Sequence, residues 1–220
     1  MKKYLFILLF FGISLGAFAQ AAQFTPDVEA KNILDKTAQA LQRNTGIQAT
    51  FTLTIDNRQT DQKQSFDGTL WLKGNKFKLA IDGIETYYDG KTQWVYLKDS
   101  EEVNITEPSE EEVQMINPAV IFELYKKGGN YRFVGEKKDI KQRNVYEIEL
   151  LSPDKKSDIQ KIIAQINKSD YMPVMFRIFY KNNLQNIIYI NSYKTNQTLP
   201  DSNFIFDKKK FPDVEIIDLR

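Results

Sequence analysis

The sequence predicts a mainly β protein: one strongly curved antiparallel sheet with helices packed on its concave face. Roughly a dozen short segments alternate apolar and polar residues, which is typical of half-buried strands. Asp89-Gly90 separates two such segments, and Asp-Gly is a strong hairpin signal because Gly reaches positive φ without steric cost. Helical spacing is confined to the start and the middle of the chain.

Residues 1–19 are expected to be a signal peptide that directs export to the periplasm. Lys2 and Lys3 precede an apolar run over residues 4–15, and Ala17-Phe18-Ala19 has the small-x-small pattern of a cleavage site. The run is too short to span a membrane. Residues 20–220 are then expected to form a single released domain. Because the chain has no Cys, its core must stabilise it without disulfides.

Composition argues against several functional classes. The chain has 30 basic and 29 acidic side chains, whereas a nucleic-acid partner normally requires a marked basic excess. It has no His, which removes the usual general base, every Ser-His or Cys-His nucleophile and the commonest zinc ligand. We therefore expect no catalytic residue, no metal site and no cofactor.

Two charged features have a structural and a functional interpretation. Glu147 and Glu149 lie two apart on a predicted strand, where they suit either an acid and base pair or, as we expect, a solvated outer face. Two basic patches suit anionic lipid headgroups, an acidic partner or, more simply, solvated turns. These patches contain Lys137, Lys138, Lys141 and Arg143, and Lys208 to Lys210.

Two helical regions are predicted, at about 27–44 and 109–127. Thr25-Pro26-Asp27 suggests a helix start with Thr25 as N-cap, an apolar stripe continues to Leu41, and Gly46 follows the helix. Ser109 begins a capping box, and Asn117-Pro118 starts a second helical stretch.

The remaining segments are predicted strands joined by turns. Their apolar faces suit either a filled core or the wall of a ligand cavity, because periodicity does not distinguish the two. The predicted strands are Ala49–Ile55, Phe66–Lys73, Phe77–Ile81, the segments around Tyr87, Trp94 and Val103, Tyr131–Gly135, Val145–Leu151, Ile159–Ile166, Pro173–Tyr180, Gln185–Lys194, and the shorter Phe204–Phe206 and Val214–Ile217.

Four features resemble one known family in order and spacing. They are the helix from Val28 to Leu41 that leads into Ala49-Thr50-Phe51; Gly68-Thr69-Leu70-Trp71-Leu72-Lys73 followed by Phe77; Asp89-Gly90-Lys91-Thr92-Gln93-Trp94-Val95-Tyr96 with Glu102, Val103 and Ile105 beyond; and the helical insertion around Asn117 and Pro118. With Phe204-Ile205-Phe206 before Val214, they cover about residues 27 to 217. This pattern is similar to that of the LolA-type periplasmic carriers of outer-membrane lipoproteins.

The resemblance implies an unclosed β-barrel of about 11 strands whose apolar interior holds lipoprotein acyl chains under lid helices. It implies a monomeric periplasmic chaperone that catalyses no bond change. Its partners would be acylated lipoproteins, an ATP-driven release complex in the inner membrane, and an acceptor in the outer membrane or that membrane itself. Two alternatives remain: a lipid- or lipoprotein-sensing regulatory module on the same fold, and a carboxylate-dependent enzyme.

The resemblance and the strand pattern together give a set of candidate binding residues. The expected cavity residues on the sheet are Phe51, Leu53, Leu70, Leu72, Phe77, Leu79, Trp94 and Tyr96. The expected lid residues are Ile33, Leu34, Leu41, Val120, Ile121 and Leu124. One departure concerns the lid: the best-known branch of the family has Arg-Pro after the lysine that corresponds to Lys73, and here Gly74 stands in place of the lid-fastening arginine.

Overall fold

The computed structural model describes residues 27–109, 130–151 and 157–220. In these ranges the chain forms one α-helix, twelve strands and two short 3-10 helices. The elements are α1 (Val28–Gln42), β1 (Ile47–Asn57), β2 (Gln62–Lys73), β3 (Lys76–Ile81), β4 (Ile84–Tyr88), β5 (Gln93–Leu97), β6 (Glu102–Thr106), β7 (Asn130–Lys138), β8 (Asn144–Leu151), β9 (Ile159–Asn167), β10 (Pro173–Tyr180), β11 (Leu184–Lys194), the 3-10 helices Asp201–Phe204 and Lys208–Lys210, and β12 (Glu215–Asp218).

The strands form one sheet in the order β12-β6-β5-β4-β3-β2-β1-β11-β10-β9-β8-β7. Every neighbouring pair is antiparallel except β12, which runs parallel to β6. The two edge strands, β7 and β12, do not pair with each other, so the curved sheet is not closed. The predicted fold class, an unclosed and mainly antiparallel barrel-like sheet, is confirmed.

Helix α1 has the predicted extent but a different N-cap. The Asp27 side chain caps it by accepting hydrogen bonds from the backbone amides of Glu29 (2.9 Å) and Ala30 (3.1 Å). The prediction of Thr25 as N-cap is wrong, because a carboxylate two residues further along already satisfies the first free amides. Thr25 and Pro26 lie outside the described residues, as do residues 110–127 of the second predicted helical region.

Two Asp-Gly pairs join the strands of the predicted hairpin region. Asp82-Gly83 makes the two-residue turn between β3 and β4, with φ of 47° and 74°, as a type I′ turn requires. Asp89-Gly90 joins β4 to β5 as predicted, but in a longer loop, because Tyr88 pairs with Gln93. The Asp89 side chain holds that loop by accepting from the amides of residues 91 and 92.

The end of the chain crosses the sheet and then joins it. We call residues 195–218 the C-terminal strap. The predicted strand Phe204–Phe206 is wrong: Asp201–Phe204 is a 3-10 helix, and the Phe204 side chain is fully buried. Strand β12, predicted at Val214–Ile217, then extends the sheet beside β6.

The sheet has an inner face, on which α1 packs, and an outer face. Alternation along the strands separates them. On β1 the outer residues Thr50, Thr52 and Thr54 hydrogen-bond to polar side chains of β11 and β2. The inner residues of β7 to β10 form the core beneath α1, with these buried members: Ala30, Ile33, Leu34, Tyr131, Ile148, Leu150, Ile162, Ala164, Ile166 and Phe176.

Candidate functional site

An apolar surface, the inner wall, covers the inner face of β1 to β4 and β11. Cross-strand pairing builds it, because paired residues point to the same side of a sheet. Leu70 pairs with Ala49 and with Leu79, and Leu72 pairs with Phe77. Its buried members are Ala49, Phe51, Leu70, Phe77, Tyr88 and Ile190, and its half-buried members are Leu53, Leu72, Leu79, Ile81, Ile188 and Tyr193.

Six of the predicted sheet residues, Phe51, Leu53, Leu70, Leu72, Phe77 and Leu79, come together in this wall. The sequence reasoning missed Tyr88, which pairs with Phe77 across β3 and β4. The two rings lie 5.4 Å apart between centroids. The available signal was Asp82-Gly83, because a two-residue turn there fixes the register that places Tyr88 opposite Phe77.

The Phe51 ring lies directly over Gly68 on the neighbouring strand. A Cβ atom at position 68 would lie 2.3 Å from the ring carbon Cζ and 2.8 Å from two more ring carbons. A larger side chain at position 68 would therefore require the Phe51 ring to move away from the strand. The absence of a side chain at Gly68 therefore sets how closely Phe51 lies against the sheet.

The expectation that Trp94 and Tyr96 share this surface is wrong. Trp94 pairs with Tyr87, while Phe77 pairs with Tyr88, so one residue of alternation separates the two sets. Trp94 and Tyr96 lie on the outer face, where they pack with Tyr87, Val103, Phe206, Phe211 and Val214. The Tyr96 ring is 5.4 Å from that of Phe206 and 4.7 Å from that of Phe211. These aromatic residues hold the C-terminal strap.

The predicted lid residues within the described ranges are all on α1. Ile33 and Leu34 are buried in the core over β7 to β10, and Leu41 is half-buried at its edge. None of the α1 residues belongs to the inner wall as the described residues define it. The helix therefore lies beside the inner wall. Val120, Ile121 and Leu124 lie outside the described residues.

Polar contacts attach α1 at its N-terminus and near its middle. The second carboxylate oxygen of Asp27 accepts from the Phe133 amide of edge strand β7, at 2.8 Å. That bond, followed by the one from Ala30, holds the pKa of Asp27 below its ordinary value of 3.8. Further along the helix, Lys36 donates to the Tyr171 hydroxyl at 3.1 Å.

Gly74 occupies a turn that favours glycine. It joins β2 to β3 with φ of +58°, a conformation that L side chains rarely adopt, and a Cβ there would meet nothing within 4 Å. The flanking Lys73 and Lys76 both bind the Asp201 carboxylate at 2.8 Å. Lys73 also donates to the Leu199 carbonyl at 2.8 Å. The cations at this hairpin therefore fasten the C-terminal strap.

Glu147 and Glu149 lie on the outer face, as expected, but they are not solvated: their side chains are 14% and 10% exposed, and both are ion-paired. Glu147 contacts Lys137 and accepts from Gln165, whereas Glu149 contacts Arg132 at 2.9 Å and Lys161 at 3.2 Å. Within residues 27–109, 130–151 and 157–220, no three His, Cys, Asp or Glu side chains are grouped as metal ligands would be. No helix in this part of the chain is long and apolar enough to cross a membrane.

A groove of about 330 Å³ opens on the outer face of β1, β2 and β3. The paired residues Thr50, Thr69 and Ala80 form its floor, and Asp67 and Asn191 stand beside them. Thr52 donates to Asp67 at 2.6 Å, and Asn191 donates to Thr52 at 2.9 Å. These polar groups already hydrogen-bond to one another, so the groove offers a ligand few free partners. The inner wall is therefore the better candidate site.

Solved structures with the same fold come from several bacteria. An uncharacterised conserved protein of Thermus thermophilus matches with a TM-score of 0.59 and 15% identity, over 86% of this chain and 99% of that one. A DUF1329 family protein of Desulfovibrio piger matches with a TM-score of 0.50 and 12% identity, over 85% of this chain and 100% of that one. LprF of Mycobacterium bovis matches with a TM-score of 0.50 and 14% identity, over 80% of this chain and 98% of that one. At these identities the likeness concerns the fold.

A comparison with curated proteins found no match. The profile of the family described as outer membrane lipoprotein carrier protein LolA, in contrast, matches residues 15–181. That span takes in α1 and β1 to β10 completely, including most of the inner wall. The chain therefore belongs to the LolA-like family of outer membrane lipoprotein carrier proteins.

Proposed function

We propose that this protein is a periplasmic carrier that holds the acyl chains of lipoproteins against the inner wall and takes them from the inner to the outer membrane. The observation that carries the proposal is the position of the wall. It is a continuous apolar surface of paired strand residues, and α1 lies beside it. Membership of the carrier family supports this use of the surface.

The chemistry of the wall suits acyl chains. Burial is worth about 0.8 kcal/mol per methylene, so three acyl chains in water carry an unfavourable free energy on the order of 30 kcal/mol. Leu53, Leu79 and Ile188 offer non-directional apolar contacts, so the wall can bind acyl chains of different length. A carrier must also release its cargo, and a wall that covers only part of each chain leaves that possible.

Beyond the wall the inner face is mixed on β5, where Val95 and Leu97 accompany Gln93, and polar on β6. On β5 and β6 the inner positions include Gln93, Thr106 and Asn104, which pairing aligns with Tyr88 and Thr86 of β4. Thr106 donates to Gln93 at 3.5 Å, and Asn104 donates to Glu102 at 2.6 Å. We place the acyl chains on β1 to β3 and β11, with the polar part of the lipoprotein towards β6.

Helix α1 is the described part of the proposed lid, and it is seated at rest. Burying an Ile or Leu side chain fully is worth about 1.5–3 kcal/mol, so lifting Ile33 and Leu34 alone costs about 3–6 kcal/mol. At a factor of ten per 1.4 kcal/mol, the lifted form is about 1% of the population or less. Movement of α1 then requires cargo or a partner that binds the lifted form better.

The partners follow from the proposed route. A monomer, exported with residues 1–19 as its signal peptide, would receive cargo from an ATP-driven complex in the inner membrane. It would deliver that cargo to an acceptor in the outer membrane or to the membrane itself.

The first experiment is purification from the native envelope without detergent, followed by mass spectrometry. Co-purification of triacylated lipoprotein is expected. The second experiment compares Leu53→Asp with Thr54→Asp. The two substitutions add the same charge to β1, on the inner wall and on the outer face respectively. Leu53 is half-buried, whereas Leu70 is only 6% exposed, so a charge at Leu70 damages the fold as well as the cargo site.

Leu53→Asp is expected to lower cargo retention at least about tenfold, since one desolvated charge costs more than 1.4 kcal/mol. Thr54→Asp should retain cargo as the wild type does. Thermal unfolding checks that both variants remain folded. Equal retention by the two variants would show that the wall assignment is wrong.

A further inference from the structure

The turn between β7 and β8 presents an apolar side chain among cations. Ile140 is 80% exposed, more than any other large hydrophobic residue in the part of the chain that the structure describes. Single exposed hydrophobic residues are common on soluble proteins, so exposure alone decides nothing. The surroundings of Ile140 carry the argument.

The turn is held in place by a buried carboxylate. Asp139, whose side chain is fully buried, accepts from the backbone amides of Lys141 (2.9 Å) and Arg143 (2.8 Å). The Arg143 guanidinium donates to Asp139 at 2.7 Å, and the Tyr189 hydroxyl of β11 donates to it at 3.0 Å. These bonds fix the turn against the outer face of the sheet and leave Ile140 pointing into solvent.

The same bonds leave the turn basic. The charge of Asp139 is compensated by Arg143 within the turn. Lys138 donates to the Gln142 carbonyl at 3.3 Å and Lys141 to the Asn191 carbonyl at 3.4 Å, and neither pairs with a carboxylate among the described residues. The nearby Glu136 and Glu147 are paired with Lys168 and Lys137. Two cations without a counter-charge therefore flank one exposed apolar side chain.

We propose that this turn, residues 138–143, docks the protein onto an anionic phospholipid surface. Ile140 enters the boundary between headgroups and acyl chains, while Lys138 and Lys141 contact lipid phosphates. One apolar side chain and two cations give weak, reversible binding, which suits a protein that must also leave the membrane. The inference concerns the end of the sheet that carries this turn and is independent of what the inner wall binds.

The test uses the absence of Cys from the sequence. Ile140→Cys and Thr60→Cys each give one labelling site for an environment-sensitive fluorophore. Position 60 lies in the β1–β2 turn, at the opposite end of the sheet. With vesicles of phosphatidylethanolamine and phosphatidylglycerol, the probe at position 140 should shift to the blue and the probe at position 60 should not. Phosphatidylcholine vesicles should give neither shift.

Unlabelled variants then separate charge from apolar insertion by vesicle sedimentation. Each lysine near an anionic surface is worth about a five-fold change in affinity, so Lys138→Gln with Lys141→Gln should weaken binding about 25-fold. Ile140→Ser should weaken it about five- to tenfold without changing the melting temperature. The matched control, Lys208→Gln with Lys209→Gln, removes the same charge from the other basic patch and should bind as the wild type does.

Three outcomes overturn the proposal. The first is no binding to anionic vesicles. If the protein is instead retained by polyglutamate through Lys138 and Lys141, the partner of the turn is an acidic protein. The second is an equal loss in the Lys208 and Lys209 control. The third is unchanged binding by Ile140→Ser. Leu53→Asp should bind vesicles normally, so a failure of the proposed carrier function is distinguishable from a failure of this inference.

Discussion

Gly68→Ala distinguishes a filled core from a hollow one. The new methyl group would lie 2.3 Å from Cζ of Phe51, where ordinary contact begins at 3.4 Å, so the ring must withdraw from the strand by about 1 Å. Since Phe51 lies on the inner face, it withdraws towards the interior. The free energy of unfolding then depends on whether other side chains already occupy that space.

The two interiors predict different results. A filled core resists the shift, and overpacking costs about 1–3 kcal/mol, which for a chain of this size lowers the melting temperature by up to about 10 °C. In a hollow interior the ring moves freely, and the gain of about 0.4–1 kcal/mol from replacing Gly by Ala offsets the remaining cost. We expect the second result: a melting temperature within about 3 °C of the wild type and weaker binding of a fluorescent acyl probe, because Phe51 then occupies cargo space.

Phe51→Ala is the matched background for this measurement. Without the ring, Gly68→Ala should be neutral or stabilising, so the two substitutions should show a coupling energy in a double-mutant cycle. A drop in melting temperature of more than about 5 °C for Gly68→Ala alone, with unchanged probe binding, would refute the hollow interior and the cargo role of the wall.

Two further predictions concern the attachments of α1 and of the strap. Asp27→Asn keeps an N-cap but loses the bond to Phe133, so it should lower stability by about 1 kcal/mol at neutral pH, measured by thermal unfolding. Because the folded-state pKa of Asp27 is lowered, its contribution to stability is present above pH 3.8 and is lost as the pH falls. The difference in stability between variant and wild type should therefore disappear in acid. A difference that does not change with pH would contradict this. The hydrogen bonds from Lys73 and then Lys76 lower the pKa of Asp201 to about 2. Asp201→Asn should speed amide exchange in the strap at neutral pH without a change in the melting temperature, and unchanged exchange would show that the ion pairs do not hold the strap.

The alternation of apolar and polar residues was sufficient to predict the sheet, but it placed one part of the candidate site on the wrong face. Alternation at Phe51, Leu53 and Leu70 identifies the inner wall because those strands are regular and adjacent. Trp94 was assigned to the wrong face because the apolar positions of every strand were expected to point inwards. The pairs Phe77–Tyr88 and Tyr88–Gln93 place Gln93 on the inner face and Trp94 on the outer face, where strap residues such as Phe206 cover it.

The strap could not be placed by periodicity. Phe204-Ile205-Phe206 alternates only by coincidence, since Phe204 ends a 3-10 helix and Phe206 packs on Tyr87 and Tyr96. The contacts of the strap, including those of Asp201 with Lys73 and Lys76, are with residues distant in sequence. Long-range ion pairs of this kind have no local signature.

The strap stabilises the sheet from its outer face, and the proposed carrier function requires such support. β4 and β5 carry aromatic residues on both faces, with Tyr88 on the inner wall and Tyr87, Trp94 and Tyr96 on the outer face. A protein whose inner face is not filled loses part of the burial that normally stabilises a sheet. The strap adds burial on the outer face: Phe206 is only 7% exposed where it packs on Tyr87 and Tyr96, and burying an aromatic side chain is worth about 1.5–3 kcal/mol. Phe51 and Leu70 of the inner wall are only 7% and 6% exposed, so the proposed cargo has to displace what covers them, and packing on the outer face stabilises the sheet while the wall is uncovered.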